Sequence, residues 1–430
     1  MKILRATASM VLLLGILWLA SANRRAISWS LVFKGLIIQF TLAYLILEVD
    51  AVSHVFDSIG KGFVALLGFA REGSLFLFGD LVGQQDTFGY IFAFQVLPTI
   101  IFFSAITSLL FHFGILQRVV WVFAWFMKRT LKLSGAESLS AAANVFVGQT
   151  EATLLVKPYI AGMTRSELLC LMSGGMSTIA GAVLAAYIGY LGGADEARQI
   201  FFARHLLAAS VMSAPAAIIA AKMLMPETEK FVDSADVEIE KQGNWLEAIA
   251  HGTGDGLKMA VNVGVMLLVF TALIALANAL LEGGIGEWTG LNAWLADVTG
   301  GRYKEFNLQA IFGLTLAPLT WLMGVPWTEA SAVGQLLGEK TVLNEFYAYV
   351  SMGDLMKEGE NVQLASEKAQ VIATYILCGF ANFASIGIQI GGIGALAPNR
   401  RKDLSKLGMR ALLAGTVASL FTAILAGLLF

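Results

Sequence analysis

Charge is scarce in this 430-residue chain: Asp, Glu, Lys and Arg make up 14% of it, and the formal net charge is -2. Soluble domains carry about 25% charged residues, so an ordinary water-solvated fold is excluded. A nucleic-acid partner is excluded too, because it needs a basic stripe. Cysteine is almost absent. Cys170 and Cys378 both lie in apolar runs with no Cys-x-x-Cys, which reads as two buried thiols and no disulfide framework. Four histidines (His54, His112, His205 and His251) are too scattered for a metal-ligand spacing. There is no His-Glu-x-x-His, nucleophile elbow or acidic cluster, so the sequence offers no catalytic constellation and is not read as an enzyme.

Apolar length is what the chain has in abundance. Hydrophobic residues are 57% of the sequence and mean hydropathy is +0.72. A span needs about 20 apolar residues. On that measure an all-α integral membrane protein is expected, with spans near 6–22, 31–48, 90–127, 166–190, 200–225, 258–282, 368–396 and 407–429. The first also resembles a cleavable signal peptide, ending Ala-Ser-Ala. A spanning helix is the favoured reading, since Arg24, Arg25 and a second span follow at once. The third is too long for a perpendicular crossing and is expected to tilt. Residues 50–88 read as an interfacial helix plus a loop, residues 305–325 as a further interfacial or packing helix, and 226–247 as a long solvated stretch.

Four segments follow. Residues 1–127 hold N-terminal spans, the interfacial helix and a long scaffold span. Residues 128–225 form a first repeat, and 226–327 hold a connecting loop, a scaffold span and an interfacial helix. Residues 328–430 form a second repeat. Each repeat opens with a short segment (136–163 and 328–356) in which a polar break separates two half-length apolar pieces. That is the profile of a re-entrant hairpin, tolerated only where its tip is buried or lines a water cavity. If eight spans alternate, Arg24-Arg25, Lys128-Arg129-Lys132, Lys157, Arg165 and Arg400 to Lys406 share one side, which the positive-inside rule makes cytoplasmic. Lys2 and Arg5 argue the other way. The two hairpins then insert from opposite sides, as an inverted repeat requires.

The breaks carry the chemistry. At Gly148-Gln149-Thr150-Glu151, glycine allows a turn, and an amide, a hydroxyl and a carboxylate suit a neutral heterocycle with amide-like edges. The plain alternative is a polar loop, against which the apolar flanks count. At Leu343-Asn344-Glu345-Phe346, an ionised Glu345 accepts only and suits a pair of hydroxyls such as a ribose's. Its plain alternative is an interfacial pair with Lys340. In Phe380-Ala381-Asn382-Phe383-Ala384-Ser385, Asn382 and Ser385 are three apart and would share a helical face, with Phe380 as a wall. In Ser173-Gly174-Gly175-Met176-Ser177-Thr178-Ile179, paired glycines and hydroxyls predict unwinding that frees carbonyls for Na⁺, or else small-residue helix packing. His251-Gly252-Thr253-Gly254-Asp255-Gly256 looks like a phosphate loop but lacks the strand and the Lys-Ser/Thr. It reads as a flexible lead-in to a span. Gly391-Gly392-Ile393-Gly394 reads as a helix end.

Taken together, residues 144–151 (Asn-Val-Phe-Val-Gly-Gln-Thr-Glu), 181–187 (Gly-Ala-Val-Leu-Ala-Ala-Tyr), Gly324-Val325-Pro326-Trp327, Thr341 to Phe346 and Cys378 to Asn382 resemble the concentrative nucleoside transporters, in their shorter bacterial form. The resemblance runs from the first span to the last. It implies a homotrimer with scaffold and transport domains, in the cell membrane (the inner membrane of a Gram-negative cell). It also implies nucleoside uptake coupled to Na⁺, or to H⁺ in some members, by an elevator-like movement. By that resemblance Gln149, Thr150 and Glu151 face the base, with Val183 beside it. Glu345, Asn382 and Ser385 hold the ribose, and Phe380 packs nearby. Sodium is held by the side chains of Asn144 and Thr178 and the carbonyls of Val147 and Ile179. An importer of another small polar solute, such as a nucleobase, is the alternative, as is coupling to H⁺. No organic cofactor is implied.

Overall fold

Inside a bilayer every backbone polar group must find a partner within the protein, and the helix is the local solution. The structure, a computed structural model, describes residues 2–229, 243–357 and 363–430, and for Gln85 and Asp86 the backbone alone. All regular structure among the described residues is helical. Most of the stretch expected to be solvated, 226–247, lies outside the described residues.

Seven helical segments are long and apolar enough to cross a membrane: Lys2–Ala20, Trp29–Glu48, Phe92–His112, Arg165–Gly192, Glu196–Leu224, Trp245–Glu287 and Pro398–Leu429. The eighth expected span, 368–396, is two short helices with a break between them. A second broken pair, Leu308–Leu322 and Trp327–Val342, bends by 117°. In chain order the helices used below are α1 (Lys2–Ala20), α2 (Trp29–Glu48), α3 (Asp50–Phe78), α4 (Leu97–His112), α5 (Ile115–Leu131), α6 (Gly135–Asn144), α7 (Glu151–Leu155), α8 (Arg165–Ser177), α9 (Gly181–Gly192), α10 (Glu196–Leu224), α11 (Trp245–Ala279), α12 (Leu308–Leu322), α13 (Trp327–Val342), α14 (Glu345–Leu355), α15 (Glu367–Leu377), α16 (Phe383–Leu396) and α17 (Arg401–Leu429).

Several expectations need correction. The long tilted span at 90–127 does not exist. The chain turns at Gly114, whose φ of +74° suits glycine, so α4 and α5 are separate helices. Residues 50–88 hold little loop, since α3 runs for 29 residues against α10 and α2. The helix expected at 305–325 is a packing helix: α12 lies along α13 so closely that a Cβ on Gly334 would sit 2.9 Å from the carbonyl oxygen of Gly313. The glycines of 251–256 are no flexible lead-in. They lie inside α11, where Gly252 and Gly256 let the backbone of α4 approach: added Cβ atoms would meet Ala105 Cα at 2.9 Å and Ile101 Cα at 2.8 Å.

The two repeats have the same order of parts. Hairpin 1 is α6 and α7, followed by the broken helix α8–α9 and the 29-residue α10. Hairpin 2 is α13 and α14, followed by the broken helix α15–α16 and α17, also of 29 residues. Side-chain caps fix the starts. Ser134 and Glu137 close a capping box on α6, Thr164 and Glu167 close one on α8, and Ser366 caps α15. The hairpins open at opposite ends of the bundle. The Ala22 N–H donates to the Leu224 carbonyl (2.9 Å), Arg165 pairs with Asp403 (3.1 Å), and buried Lys222 pairs with Glu137 at the base of hairpin 1. At the other end Arg5 donates to the carbonyls of Trp321 and Val325, just before hairpin 2 begins.

Candidate functional site

The two helix breaks meet at the centre of the molecule. Thr178 to Ala180 separate α8 from α9, and Cys378 to Asn382 separate α15 from α16. Gly379, at φ +98°, makes the meeting possible: a Cβ there would lie 2.6 Å from the Ser177 carbonyl carbon. The hairpin tips close over this crossing. Gly181 N–H donates to the Phe146 carbonyl (3.3 Å), and a side chain on Gly148 would collide with the Glu151 carboxylate. Only glycine lets that carboxylate fold back over the turn.

A cavity of about 520 Å³ lies between the tips, within the range of small-molecule sites. Gln149, Thr150, Glu151, Val183, Glu345, Phe380, Asn382 and Ser385 all line it, so every residue read from the sequence as a substrate contact shares one chamber. Thr150 is exposed to it, Gln149, Glu151 and Phe380 are half-buried, and Glu345 is only 5% exposed.

Glu345 is held from two sides. Its Oε1 accepts from the Tyr187 hydroxyl of α9 (3.1 Å) and its Oε2 from Asn382 Nδ2 (2.9 Å). Tyr187 is fixed in turn against Phe346 and Tyr349, with ring centroids 4.9 and 4.2 Å apart. Each carboxylate oxygen keeps lone pairs for further donors. Asn382 does not share a helical face with Ser385, as the three-residue spacing predicts. It is the N-cap of α16, and its Oδ1 accepts the Ser385 N–H (2.8 Å). The break places the pair, not helical periodicity. Nor does Glu345 pair with Lys340, whose ammonium turns to other partners.

Residues beyond the sequence reading also line or support the chamber. Gln389 Nε2 donates to Gln149 Oε1 (2.9 Å) and to the Met172 carbonyl (2.9 Å). That occupies one of the two lone pairs of the Gln149 oxygen and leaves its amide N–H groups for a ligand. Asp255, Lys258 and Asn262 of α11 form the opposite wall with Met259, Val263 and Met266. Their signal was available in the sequence: polar residues at i, i+3 and i+7 of a span fall on one helical stripe. Gln389 likewise stands alone among Ile386, Gly387, Ile388 and Ile390.

The four residues read as cation ligands lie where hairpin 1 meets the first break. Asn144, fully buried, donates through Nδ2 to the Ser140 carbonyl (2.9 Å), yet its Oδ1 has no hydrogen-bond partner. Beside it a Cβ on Gly174 would meet Asn144 Nδ2 at 3.2 Å, and the Gly174 carbonyl accepts the Thr178 hydroxyl (3.0 Å). Val147 and Ile179 are 3% and 0% exposed on either side of the same junction. An orphaned, buried amide oxygen among neutral oxygens fits a hard monovalent cation. Among the described residues no His/Cys/Asp/Glu group could hold a transition metal.

Residues 205–427 match the family model described as the C-terminus of Na⁺-dependent nucleoside transporters. Residues 8–81 match the corresponding N-terminus, and residues 93–194 match a model described as nucleoside recognition. An uncharacterized transporter of Haemophilus influenzae is 43% identical, the match covering 100% of this chain and 98% of that one. Nucleoside permease NupC of Helicobacter pylori is 37% identical over 98% of this chain and 97% of its own length. The structure of CNTnw in an inward-facing substrate-bound state superposes with a TM-score of 0.90 at 39% identity, covering 100% of this chain and 98% of that one. The chain belongs to the Na⁺-dependent, or concentrative, nucleoside transporter family, and it is an all-α, multi-pass membrane protein built on that family's inverted repeats.

Proposed function

We propose that this protein is a Na⁺-coupled nucleoside symporter that imports nucleosides such as uridine. As a member of a transporter family it moves its substrate unchanged and is not an enzyme. The observation that carries the reading is the convergence of both hairpin tips on one cavity, with Glu345 anchored by Tyr187 and Asn382 beside Ser385. In this reading Glu345 and Asn382 take the ribose hydroxyls. Gln149, Thr150 and Glu151 take the polar edge of the base, Val183 packs beside it, and Phe380 walls the sugar.

Na⁺ is the coupling ion in this reading because the candidate ligands are neutral oxygens and Asn144 Oδ1 lacks a donor. A bound ion would order the turn from Val147 to Glu151, and nucleoside bound on that turn would favour the loaded site in return. The unit that moves comprises the hairpins and broken helices. It slides elevator-fashion against a scaffold that includes α11, whose largely exposed apolar face suits lipid or a neighbouring subunit. A homotrimer in the cell membrane, with the basic end cytoplasmic, completes the proposal.

Labelled uridine uptake in proteoliposomes, with unlabelled competitors, tests this. Uridine and cytidine should compete, and uracil should not. Equal competition by uracil would remove the ribose assignment of Glu345 and favour a nucleobase carrier.

A further inference from the structure

Lys340 takes no part in the transport scheme above, yet it is 0% exposed at the core of hairpin 2. Its Nζ donates to the carbonyls of Ile376 (2.8 Å) and Cys378 (3.1 Å) and to Ser419 Oγ (3.1 Å). Three acceptors match the three protons of an ammonium. Ser419 spends its own proton on the Thr416 carbonyl (2.9 Å), so at Lys340 it accepts. The group is therefore a charged ammonium. Among the described residues no carboxylate lies within ion-pair distance of it, in contrast to Lys222, which pairs with Glu137 and Glu227; Glu345 acts on its charge only from farther off. The charge is met by the carbonyl end of α15, the natural seat for a cation.

The setting repeats that of the first half. In hairpin 1, Asn144 ends the first helix, its side chain lies against Gly174 of the first broken helix, and its buried Oδ1 has no partner. In hairpin 2, Lys340 lies near the end of the first helix and reaches the carbonyls of the second broken helix. The long helix that follows each break helps in both: Ser210 of α10 donates to the Val145 carbonyl of hairpin 1 (2.9 Å), and Ser419 of α17 accepts from Lys340 of hairpin 2. One half holds a buried amide oxygen that no donor meets, and the other supplies its own positive charge.

We infer that Lys340 is a tethered cation. Its ammonium holds in the second repeat the place that a sodium ion holds in the first, so hairpin 2 is fixed to its broken helix without an ion. The inference rests on the sodium reading of hairpin 1. It makes Lys340 a positioning residue, acting on substrate through the tip that carries Glu345, and it confines ion coupling to one half of a symmetric fold.

Two variants in proteoliposomes test it, each checked for folding by gel filtration and melting temperature. Lys340→Met keeps the stem and removes the charge. Uridine uptake should fall at least about tenfold at a sodium concentration that half-saturates wild type. Lys340→Ala leaves room for a free cation. Its uptake should be restored in part by added methylammonium, or its sodium activation should steepen from a Hill coefficient of about 1 towards 2. A Lys340→Met protein with wild-type uptake and sodium dependence overturns the inference. So does a folded Lys340→Ala protein that responds to neither cation. If neither variant folds, the wild-type reversal potential decides: a single positive charge per uridine is expected, and two overturn the inference. Asn144→Ala in the same assay separates the premises, since unchanged sodium activation there removes the sodium reading while leaving the Lys340 result interpretable.

Discussion

The two hairpins share a fold and differ in chemistry. Hairpin 1 ends in neutral oxygens with an unmet acceptor at Asn144, and its tip residues are half-buried or exposed to the chamber. In hairpin 2 the groups nearest the tip have partners: Lys340 donates into the second broken helix, and Glu345 is held by Tyr187 and Asn382. A preorganised group costs little reorganisation when it binds, and one that must first be ordered can be controlled by whatever orders it. On the proposed reading, the second half would recognise nucleoside without the ion and the first half only once the ion is bound.

That contrast can be broken at several points. The largest expected effect is Glu345→Gln, which exchanges a charged acceptor for an amide and should weaken uridine binding by roughly 1.5–3 kcal/mol. Titration calorimetry at saturating sodium reads this directly, and an unchanged affinity would remove Glu345 from the ribose. Glu151→Gln, at the less buried tip, should cost about 1 kcal/mol or less in the same measurement. Asn144→Ala should act on the ion instead. The sodium concentration for half-maximal uptake should rise by roughly 5–150-fold, with uridine affinity at saturating sodium little changed. An equal loss of both would mean that Asn144 supports the fold rather than the ion. The smallest effect is expected at Gln389→Leu, which removes one donor from the Gln149 oxygen and should cost about 0.5 kcal/mol of nucleoside binding. The loss should vanish with a ligand whose base has no acceptor facing Gln149.

Much of this was legible in the sequence because membrane-grade apolarity makes every polar interruption conspicuous. Both hairpin breaks and Gln149, Thr150, Glu151, Glu345, Asn382 and Ser385 stand out as amides, hydroxyls or acids within hydrophobic sequence, whereas Val183 and the candidate ion ligands Asn144, Val147, Thr178 and Ile179 are given their roles only by the family resemblance. What hid was anything set by backbone geometry. The break before Asn382 turned a supposed helical face into an N-cap, because hydropathy averaged over 368–396 does not register five unwound residues. Gly114 ended a helix that composition alone would have continued. The α11 wall was missed for a different reason: Gly252 and Gly256 looked like flexibility when read singly. They are a packing ridge only once α4 is known to lie against them.

If Na⁺ at hairpin 1 drives nucleoside through the chamber, sodium-gradient uptake of labelled uridine into proteoliposomes reads that coupling. An inward Na⁺ gradient should concentrate uridine above the outside level, and an equimolar K⁺ gradient should not. Accumulation indifferent to Na⁺, or driven only by a proton gradient, would contradict it.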